Sequence, residues 1–280
     1  MKNLSDRTAL LVRFGYDGAR FWGLQPQTGL PTAGQALATR LAEAGGSRAK
    51  GLAFAARTDR GVHARGNLAT CYWRGPVDVD ALLSSLSADR DDGLLEVVGV
   101  VVPPTVHARG ISRGKHYRYR IKDEQVPDDD GALLDPHAWR IAPGLDVDRM
   151  QAAADVLLGR HDFSSFRAGG CSAASADKTL YRFSVRRDEE GVLVVDLTGD
   201  AFLRKMVRNL VGLLAEVGSG WRSVDDVAGV LAARVRSSAG VCAPPAGLTL
   251  VAVGCAWPDD GSGLLPGTPA VRVRDVDDDD

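Results

Sequence analysis

Residues 52–73, LAFAARTDRGVHARGNLATCYW, contain two runs of β-favouring residues on either side of a charged loop. The runs at 52–56 and 66–73 predict two strands. Outward from them, apolar periodicity and turn signals predict two helices and two more strands, at 8–16 (strand), 35–44 (helix), 79–86 (helix) and 94–102 (strand). Asp78 is a plausible N-cap of the second helix. The first half of the chain therefore has the order β-α-β-β-α-β.

The second half repeats this order with one additional helix. Its predicted elements are a strand at 116–121, a helix at 146–158 capped by Asp146, strands at 180–187 and 192–198, helices at 203–217 and 224–233, and a strand at 248–255. The repeated order predicts an α+β protein with mostly antiparallel sheets. We divide the chain into an N-terminal half at 1–104, a C-terminal half at 105–257 and an acidic tail at 258–280. The tail lacks periodicity, and we expect it to be disordered.

The net charge of the chain conceals an uneven distribution. The 280 residues carry a net charge of −2, but residues 259–280 contain seven Asp and two Arg, so the first 258 residues carry +3. A mildly basic body is compatible with a nucleic-acid partner. Apolar runs fall short of the roughly 18 residues that a membrane span needs, and the N-terminus does not resemble a signal peptide.

The four cysteines and five histidines give no indication of a metal centre. The cysteines form no C-x-x-C pair, and the histidines fall at no metal-ligand spacing. The chain also has no P-loop and no dinucleotide-binding G-x-G-x-x-G. We therefore expect reduced thiols in the cytosol and an activity that uses neither bound metal nor cofactor.

The charged loop between the two central strands places Asp59 between Arg57 and Arg60. Nearby positive charge favours the ionised carboxylate. An ionised Asp59 can serve as a nucleophile or as an electrostatic anchor. The spacing alone favours a simpler interpretation, a turn aspartate in a surface ion pair, because perturbed carboxylates also occur in structural networks.

Cations and aromatic residues alternate in the segment 107–120. Tyr117 and Tyr119 share one face of the predicted strand, whereas His116, Arg118 and Arg120 share the other. This pattern fits a phosphate-binding surface with a stacking platform. It fits equally well a sheet with a solvated charged face and two core tyrosines.

The helix predicted at 203–217 combines an apolar stripe with a basic face. Arg204 and Arg208 are expected on that face at positions i and i+4. Taken alone, such arginines are more often solvated than functional.

Six motifs in order along the chain resemble those of the TruA family of tRNA pseudouridine synthases. They are Y-D-G-x-x-F-x-G at 16–23, R-T-D-x-G-V-H-A at 57–64, H-A-R followed by Y-x-Y at 107–119, H-D-F-x-x-F at 161–166, M-V-R-N-x-V-G at 206–212 and A-P-x-x-G-L at 243–248. Each motif is only modestly specific, but six in this order outweigh the simpler interpretations. The resemblance implies the pseudouridine synthase fold, in which two ferredoxin-like or RRM-like halves form one continuous, mostly antiparallel central sheet.

The resemblance also implies a role for individual residues. Asp59 is the implied nucleophile, which attacks either carbon 6 of the uracil ring or the anomeric carbon, and Arg208 is its ion-pair partner. Tyr117 is implied to stack on the target base and is a candidate base for the carbon 5 proton. The further implied substrate-binding residues are Arg57, His107, Arg109 and Leu248. The expected tRNA surface comprises Arg57, Arg60, Arg65, Arg109, Arg113, Lys115, Arg204 and Lys205.

By this resemblance, the protein is an isomerase acting at about positions 38, 39 and 40 of the tRNA anticodon stem-loop. It is expected to be a cytoplasmic homodimer that needs no metal, cofactor or membrane. Departures from the family motifs at Ala56, Arg60 and Asn67 leave the substrate positions open. The alternatives are a related pseudouridine synthase with other tRNA sites and a noncatalytic RNA-binding module, because repeated βαββαβ units resemble RNA-recognition domains.

Overall fold

The computed structural model of the protein describes residues 7–88, 94–101, 110, 112–124, 137–142 and 144–254. The predicted boundary at 104/105 and the predicted acidic tail at 258–280 lie outside these residues. Across the described ranges, no helix has the length and apolar character needed to cross a bilayer.

The first half of the chain folds in the predicted order. Its elements are β1 (Arg7–Tyr16), α1 (Ala33–Gly45), β2 (Ala49–Phe54), β3 (His63–Arg74), α2 (Val79–Ser87) and β4 (Leu94–Val101). The prediction that Asp78 caps α2 is confirmed, because its carboxylate accepts a hydrogen bond from the backbone N of Ala81 at 3.0 Å. Such a cap satisfies a backbone donor that has no partner within the helix.

The second half contains the predicted elements and two short additional strands. Its elements are β5 (Gly114–Lys122), β6 (Trp139–Arg140), α3 (Val147–Val156), β7 (Gly159–Asp162), β8 (Asp177–Arg187), β9 (Leu193–Gly199), α4 (Met206–Gly218), α5 (Asp226–Ala233) and β10 (Leu248–Gly254). The carboxylate of Asp146 caps α3 by accepting from the backbone N of Arg149 at 3.0 Å, as predicted. The strands β6 and β7 were not predicted, since two and four residues are too few to show a period.

Helix α4 begins later than the predicted helix at 203–217. Lys205 adopts a left-handed conformation with φ of 59°, so the helix can start only at Met206. Arg204 therefore lies on the turn before the helix. The prediction that Arg204 and Arg208 share one helical face at i and i+4 is wrong.

Among the described residues, ten strands form one sheet. The lateral order is β4-β1-β3-β10-β5-β9-β8-β7, with β2 also paired to β3 and β6 to β5. Only the β3–β10 and β5–β6 pairs of this described sheet are parallel. Corresponding strands of the two halves have the same order, β4-β1-β3-β2 and β10-β5-β9-β8. The predicted α+β fold with a continuous, mostly antiparallel sheet is confirmed.

Strand β10 joins the sheets of the two halves. Thr249 and Leu250 pair in parallel with His63 and Ala64 at the start of β3. On its other edge, β10 runs antiparallel to β5, and Leu250 lies opposite Tyr117. The charged loop that precedes β3 is thereby placed close to the strand that carries Tyr117.

The core lies between this sheet and the helices. Helix α4 contributes most to it, and the side chains of Leu210, Leu213 and Leu214 are completely buried. Phe14 and Tyr119 are buried from the two parts of the sheet. The apolar stripe predicted on this helix is buried in the core, which fixes the position of α4 and with it Arg208.

Candidate active site

A buried hydrogen-bond network holds the chain on the approach to Asp59. The Tyr16 hydroxyl lies 2.7 Å from Oγ1 of Thr58, and Nδ2 of Asn67 donates to the carbonyl oxygen of Ala56 at 2.9 Å. Burial raises the pKa of Tyr16 to about 12, although its hydrogen bonds with Thr58 and Asn67 act to lower it. Tyr16 therefore remains a neutral phenol at physiological pH and serves as a structural support of the loop.

Two glycines allow the polypeptide to pack closely around Asp59. Gly61 has a φ of +79°, and a Cβ there would lie 3.0 Å from Cγ of Pro245. Gly23 has a φ of +99°, and a Cβ there would lie 3.0 Å from the carbonyl oxygen of Thr58. Both conformations favour glycine, which explains why these two motif positions lack a side chain.

Arg208 faces Asp59 from the opposite half of the chain. Its Nη1 lies 3.8 Å from Oδ2 of Asp59, which is an ion pair but too long for a direct hydrogen bond. The Arg208 Nε donates to the carbonyl oxygen of Ala243 at 2.6 Å, and the Ala243 N donates to the carbonyl oxygen of Arg208 at 3.0 Å. The side chain of Arg208 is 12% exposed and that of Asp59 32%. A fixed cation thus faces a carboxylate that is still accessible.

Tyr117 forms an aromatic wall beside this ion pair. Its ring meets Phe202 edge-on, with centroids 5.1 Å apart and an angle of 81° between the planes. Burial raises the pKa of Tyr117, and the proximity of Tyr16 and Asp59 raises it further. The neutral phenol is therefore its resting form.

The predicted alternation along β5 is confirmed. Tyr117 and Tyr119 are both buried on one face, and the hydroxyl of Tyr119 donates to the carbonyl oxygen of Pro244 at 2.7 Å. On the other face, His116 and Arg118 contact the carboxylate of a β9 residue, Asp196. The sheet therefore presents Tyr117 to the site and keeps Tyr119 in the core.

A cleft of about 970 Å³ brings the predicted site residues together. Those that line it are Arg57, Asp59, Tyr117, Arg208 and Leu248. The other two, His107 and Arg109, lie outside the described residues. The lining residues come from the loop between β2 and β3, from β5, from α4 and from β10. Residues far apart in sequence therefore converge at one place.

Positive charge predominates in the cleft. Its charged lining residues are Arg57, Arg60, Lys115, Arg204, Lys205 and Arg208, together with Asp59 and Asp200. Five members of the predicted tRNA surface are among them. Arg65 and Arg113 do not line the cleft, and Arg109 is outside the described residues. A concave basic surface of this kind attracts phosphate groups.

The cleft also contains residues to which the sequence assigned no role. They include Trp22, Phe202 and the loop at 170–173. Trp22 occupies a variable position of the first motif, and the small residues of the loop show no periodicity. Only Phe202, an aromatic residue directly before a basic segment, carried a signal that could have indicated a binding surface.

Outside the cleft, Asp17, His63 and His137 bring potential metal-ligating atoms within 4.8 Å of one another. The histidine spacing did not predict this group. Nδ1 of His63 accepts a hydrogen bond from the Gly18 N at 3.1 Å and lies 3.0 Å from Oδ1 of Asp17. The two imidazole rings pack against each other with centroids 4.2 Å apart. None of its members lines the cleft.

Comparison with known proteins identifies the family. Residues 153–254 match a family model described as tRNA pseudouridine synthase. The tRNA pseudouridine synthase A of Rhodopseudomonas palustris (strain BisB5) is 42% identical over 240 residues, covering 85% of this chain and 96% of that protein. The protein of the same name from Bradyrhizobium sp. (strain BTAi1) is 40% identical, covering 85% of this chain and 96% of that protein. The one from Neisseria meningitidis serogroup C is 38% identical, covering 86% of this chain and 90% of that protein. Because this identity extends over nearly the full length of the relatives, the chain belongs to the tRNA pseudouridine synthase A family.

Proposed function

We propose that this protein converts uridine to pseudouridine in tRNA and that Asp59 is the nucleophile. Family membership supports the reaction. The observation that carries the residue assignment is the Asp59–Arg208 ion pair facing Tyr117 across a basic cleft.

The reaction is an isomerisation that the described site residues can support. The bond from ring nitrogen 1 to the ribose breaks, the ring turns, and carbon 5 bonds to the ribose. Carbon 5 loses a proton and nitrogen 1 gains one, so no group leaves the substrate. Asp59 attacks either carbon 6 or the anomeric carbon, and both routes require an ionised carboxylate. The guanidinium of Arg208, 3.8 Å away, pairs with this carboxylate and orients it.

Three side chains around Asp59 suit a uracil ring. Tyr117 supplies an aromatic face, Leu248 is buried and apolar, and Phe202 supports the tyrosine. We propose that these residues hold the ring while it is detached from the ribose and keep water away from it. For Tyr117, stacking agrees better with its environment than proton abstraction does, because burial favours the phenol over the phenolate.

Arg57, exposed at the cleft, is suited to hold the target uridine outside the RNA helix. The target uridine must leave the helical stack before Asp59 can reach it. Arg57 is exposed, lines the cleft and precedes the nucleophile by two residues. We propose that it holds the extruded nucleotide, with His107 and Arg109 as further contacts and positions 38 to 40 of the anticodon stem-loop as targets.

Mapping of pseudouridine in unmodified tRNA transcripts tests this function directly. The wild-type protein is expected to form pseudouridine at about positions 38 to 40, whereas Asp59→Asn forms none. Asp80→Asn is a matched control, since Asp80 is exposed on α2 away from the cleft. Binding without product by the wild type would favour the RNA-binding alternative. Product at other uridines would favour a synthase with different sites.

The homodimer and the cytoplasmic location remain part of the proposal. Both are supported by the resemblance of the six motifs. The proposed division into halves at 1–104 and 105–257 is supported by the repeated strand order. The proposed tail at 258–280 is supported by its acidic, aperiodic sequence. Sedimentation of the purified protein measures its oligomeric state. A monomer at micromolar concentration would contradict the proposed homodimer.

A further inference from the structure

Trp22 and Arg60 form a stacked pair at the cleft, which we call the rim pair. The guanidinium carbon of Arg60 lies 3.6 Å from the centroid of the Trp22 ring. Both residues line the cleft and both are exposed, Trp22 with 41% of its surface accessible. A guanidinium at this distance over an indole makes a favourable cation–π contact.

The rim pair is fixed to the loop that carries the nucleophile. The Trp22 backbone N donates to the Pro31 carbonyl oxygen at 2.8 Å, and Nε2 of Gln27 donates to the Trp22 carbonyl oxygen at 3.0 Å. The Leu24 N donates to the carbonyl oxygen of Thr58 at 3.2 Å. These contacts tie both ends of the segment around Trp22, and Arg60 directly follows the nucleophile in sequence. The segment that carries Trp22 is therefore held to the loop that carries Asp59.

We propose that the rim pair is a binding subsite for a nucleobase adjacent to the target uridine. This inference rests on the proposed function. Extrusion of the target base removes one stacking partner from each of its neighbours. Proteins that bind unpaired nucleotides offer aromatic rings and arginine planes as replacement surfaces. The rim pair offers both kinds of plane, and the positive charge of Arg60 suits the adjoining phosphate.

The subsite is distinct from the pocket for the uracil itself. The target ring is assigned to the surfaces of Tyr117 and Leu248, next to Asp59. Trp22 belongs to the loop after β1, and this loop packs against the backbone of residues 58–60 through Gly23. The rim pair thus predicts an effect on RNA binding that is separate from the chemical step.

An anticodon stem-loop RNA carrying 2-aminopurine next to the target uridine reports on this contact. In the Asp59→Asn variant, which is expected to prevent turnover, we expect RNA binding to quench the fluorescence of the 2-aminopurine. Trp22→Ala should weaken binding by about 5- to 100-fold, the range for loss of one base–aromatic stack, and abolish the quenching. Trp221→Ala is the matched control, because Trp221 is 83% exposed and lies outside the cleft.

Two further variants separate stacking from folding. Trp22→Phe keeps an aromatic face and should bind within about threefold of the parent, whereas Trp22→Leu keeps apolar bulk and should behave like Trp22→Ala. If Trp22→Ala lowers the melting temperature, Arg60→Ala is tested in its place. We expect Arg60→Ala to bind RNA more weakly and to reduce the slope of log affinity against log salt concentration by about one. Full quenching and parental affinity in Trp22→Ala or Trp22→Leu would overturn the subsite.

Failure of the subsite and failure of the proposed function give different results. If the wild-type protein forms no pseudouridine in tRNA, the proposed function is wrong. If it forms pseudouridine while Trp22→Ala retains the wild-type KM and quenching, only the subsite is wrong. Our expectation is a raised KM with an unchanged kcat at saturating tRNA, since the rim pair does not touch the reacting atoms.

Discussion

Arg208 on helix α4 and Asp59 on the loop before β3 face each other at 3.8 Å across the cleft. The two residues come from different halves of the chain, and the parallel β3–β10 pairing brings those halves into one sheet. The backbone of Ala243 holds the guanidinium from behind. The junction of the two halves therefore creates the ion pair to which we assign the chemistry.

Replacement of Asp59, the proposed nucleophile, separates the effect on chemistry from the effect on tRNA binding. Asp59→Asn preserves the shape of the side chain but removes the charge and the attacking oxygen. We expect pseudouridine formation to fall by at least about a thousandfold, with tRNA affinity within a few-fold of wild type. Tritium release from carbon 5 of labelled uridine in tRNA measures the first quantity, and filter binding measures the second. Full residual turnover in this variant would contradict the assignment of Asp59.

Replacement of Arg208 by lysine tests the importance of guanidinium geometry. A lysine keeps the positive charge but cannot reach Asp59 and hydrogen-bond Ala243 with one rigid planar group. We expect kcat to fall by about 10²- to 10³-fold, as when one preorganised electrostatic group is removed from an active site. Arg186→Lys, on an exposed position of β8, is the control and should retain activity. Near-normal turnover of Arg208→Lys would exclude the pairing as a catalytic requirement.

Tyr117 can be examined by separating its ring from its hydroxyl. Tyr117→Phe retains the aromatic face, so a purely stacking role predicts a KM within about threefold of wild type, whereas Tyr117→Ala should raise KM about 5- to 100-fold. Because burial raises the pKa of Tyr117 above its usual value near 10, its phenolate is scarce at neutral pH. We therefore expect no ionisation of Tyr117 in the kcat profile between pH 6 and 9. A hundredfold lower kcat in Tyr117→Phe would instead favour proton abstraction by the hydroxyl.

Local sequence patterns were sufficient for most of the fold. Alternation along β5 and apolar periodicity in α4 report burial directly, and the caps at Asp78 and Asp146 have local chemical causes. The start of α4 was missed, because Lys205 is left-handed within a turn that the Met206 N closes by donating to the Leu203 carbonyl oxygen at 3.0 Å, and its residue type does not indicate that turn. The strands β6 and β7 were missed because they are too short to show a period.

The candidate site could be predicted from the sequence only through the resemblance of its motifs to those of a known family. Spacing alone favoured a surface ion pair for Asp59, because nothing local indicates that Arg208 lies opposite. That relationship depends on strand pairing between residues far apart in the chain. The stack of Arg60 on Trp22 depends likewise on how two loops meet, and periodicity carries no information about such contacts.

A second carboxylate, Asp196 on β9, connects β9 to β5 outside the cleft. Its Oδ1 lies 2.7 Å from Nε2 of His116, and Arg118 donates to both of its oxygens, at 2.9 and 3.1 Å. Burial of the carboxylate acts to raise its pKa, but the hydrogen bonds from His116 and Arg118 outweigh burial and lower the pKa to about 2. The folded protein thus holds this group ionised more strongly than the unfolded chain does.

This difference predicts a specific dependence of stability on pH. Because the pKa of Asp196 is lower in the folded state than its unfolded value near 3.9, its contribution is complete above about pH 4 and is lost as pH falls towards 2. The difference corresponds to roughly 2 kcal/mol of unfolding free energy. Urea unfolding of Asp196→Asn between pH 2 and 6 should show a flatter pH dependence than wild type, whereas Asp80→Asn should follow wild type. Parallel pH curves for wild type and Asp196→Asn would show that the network does not couple the ionisation of Asp196 to folding.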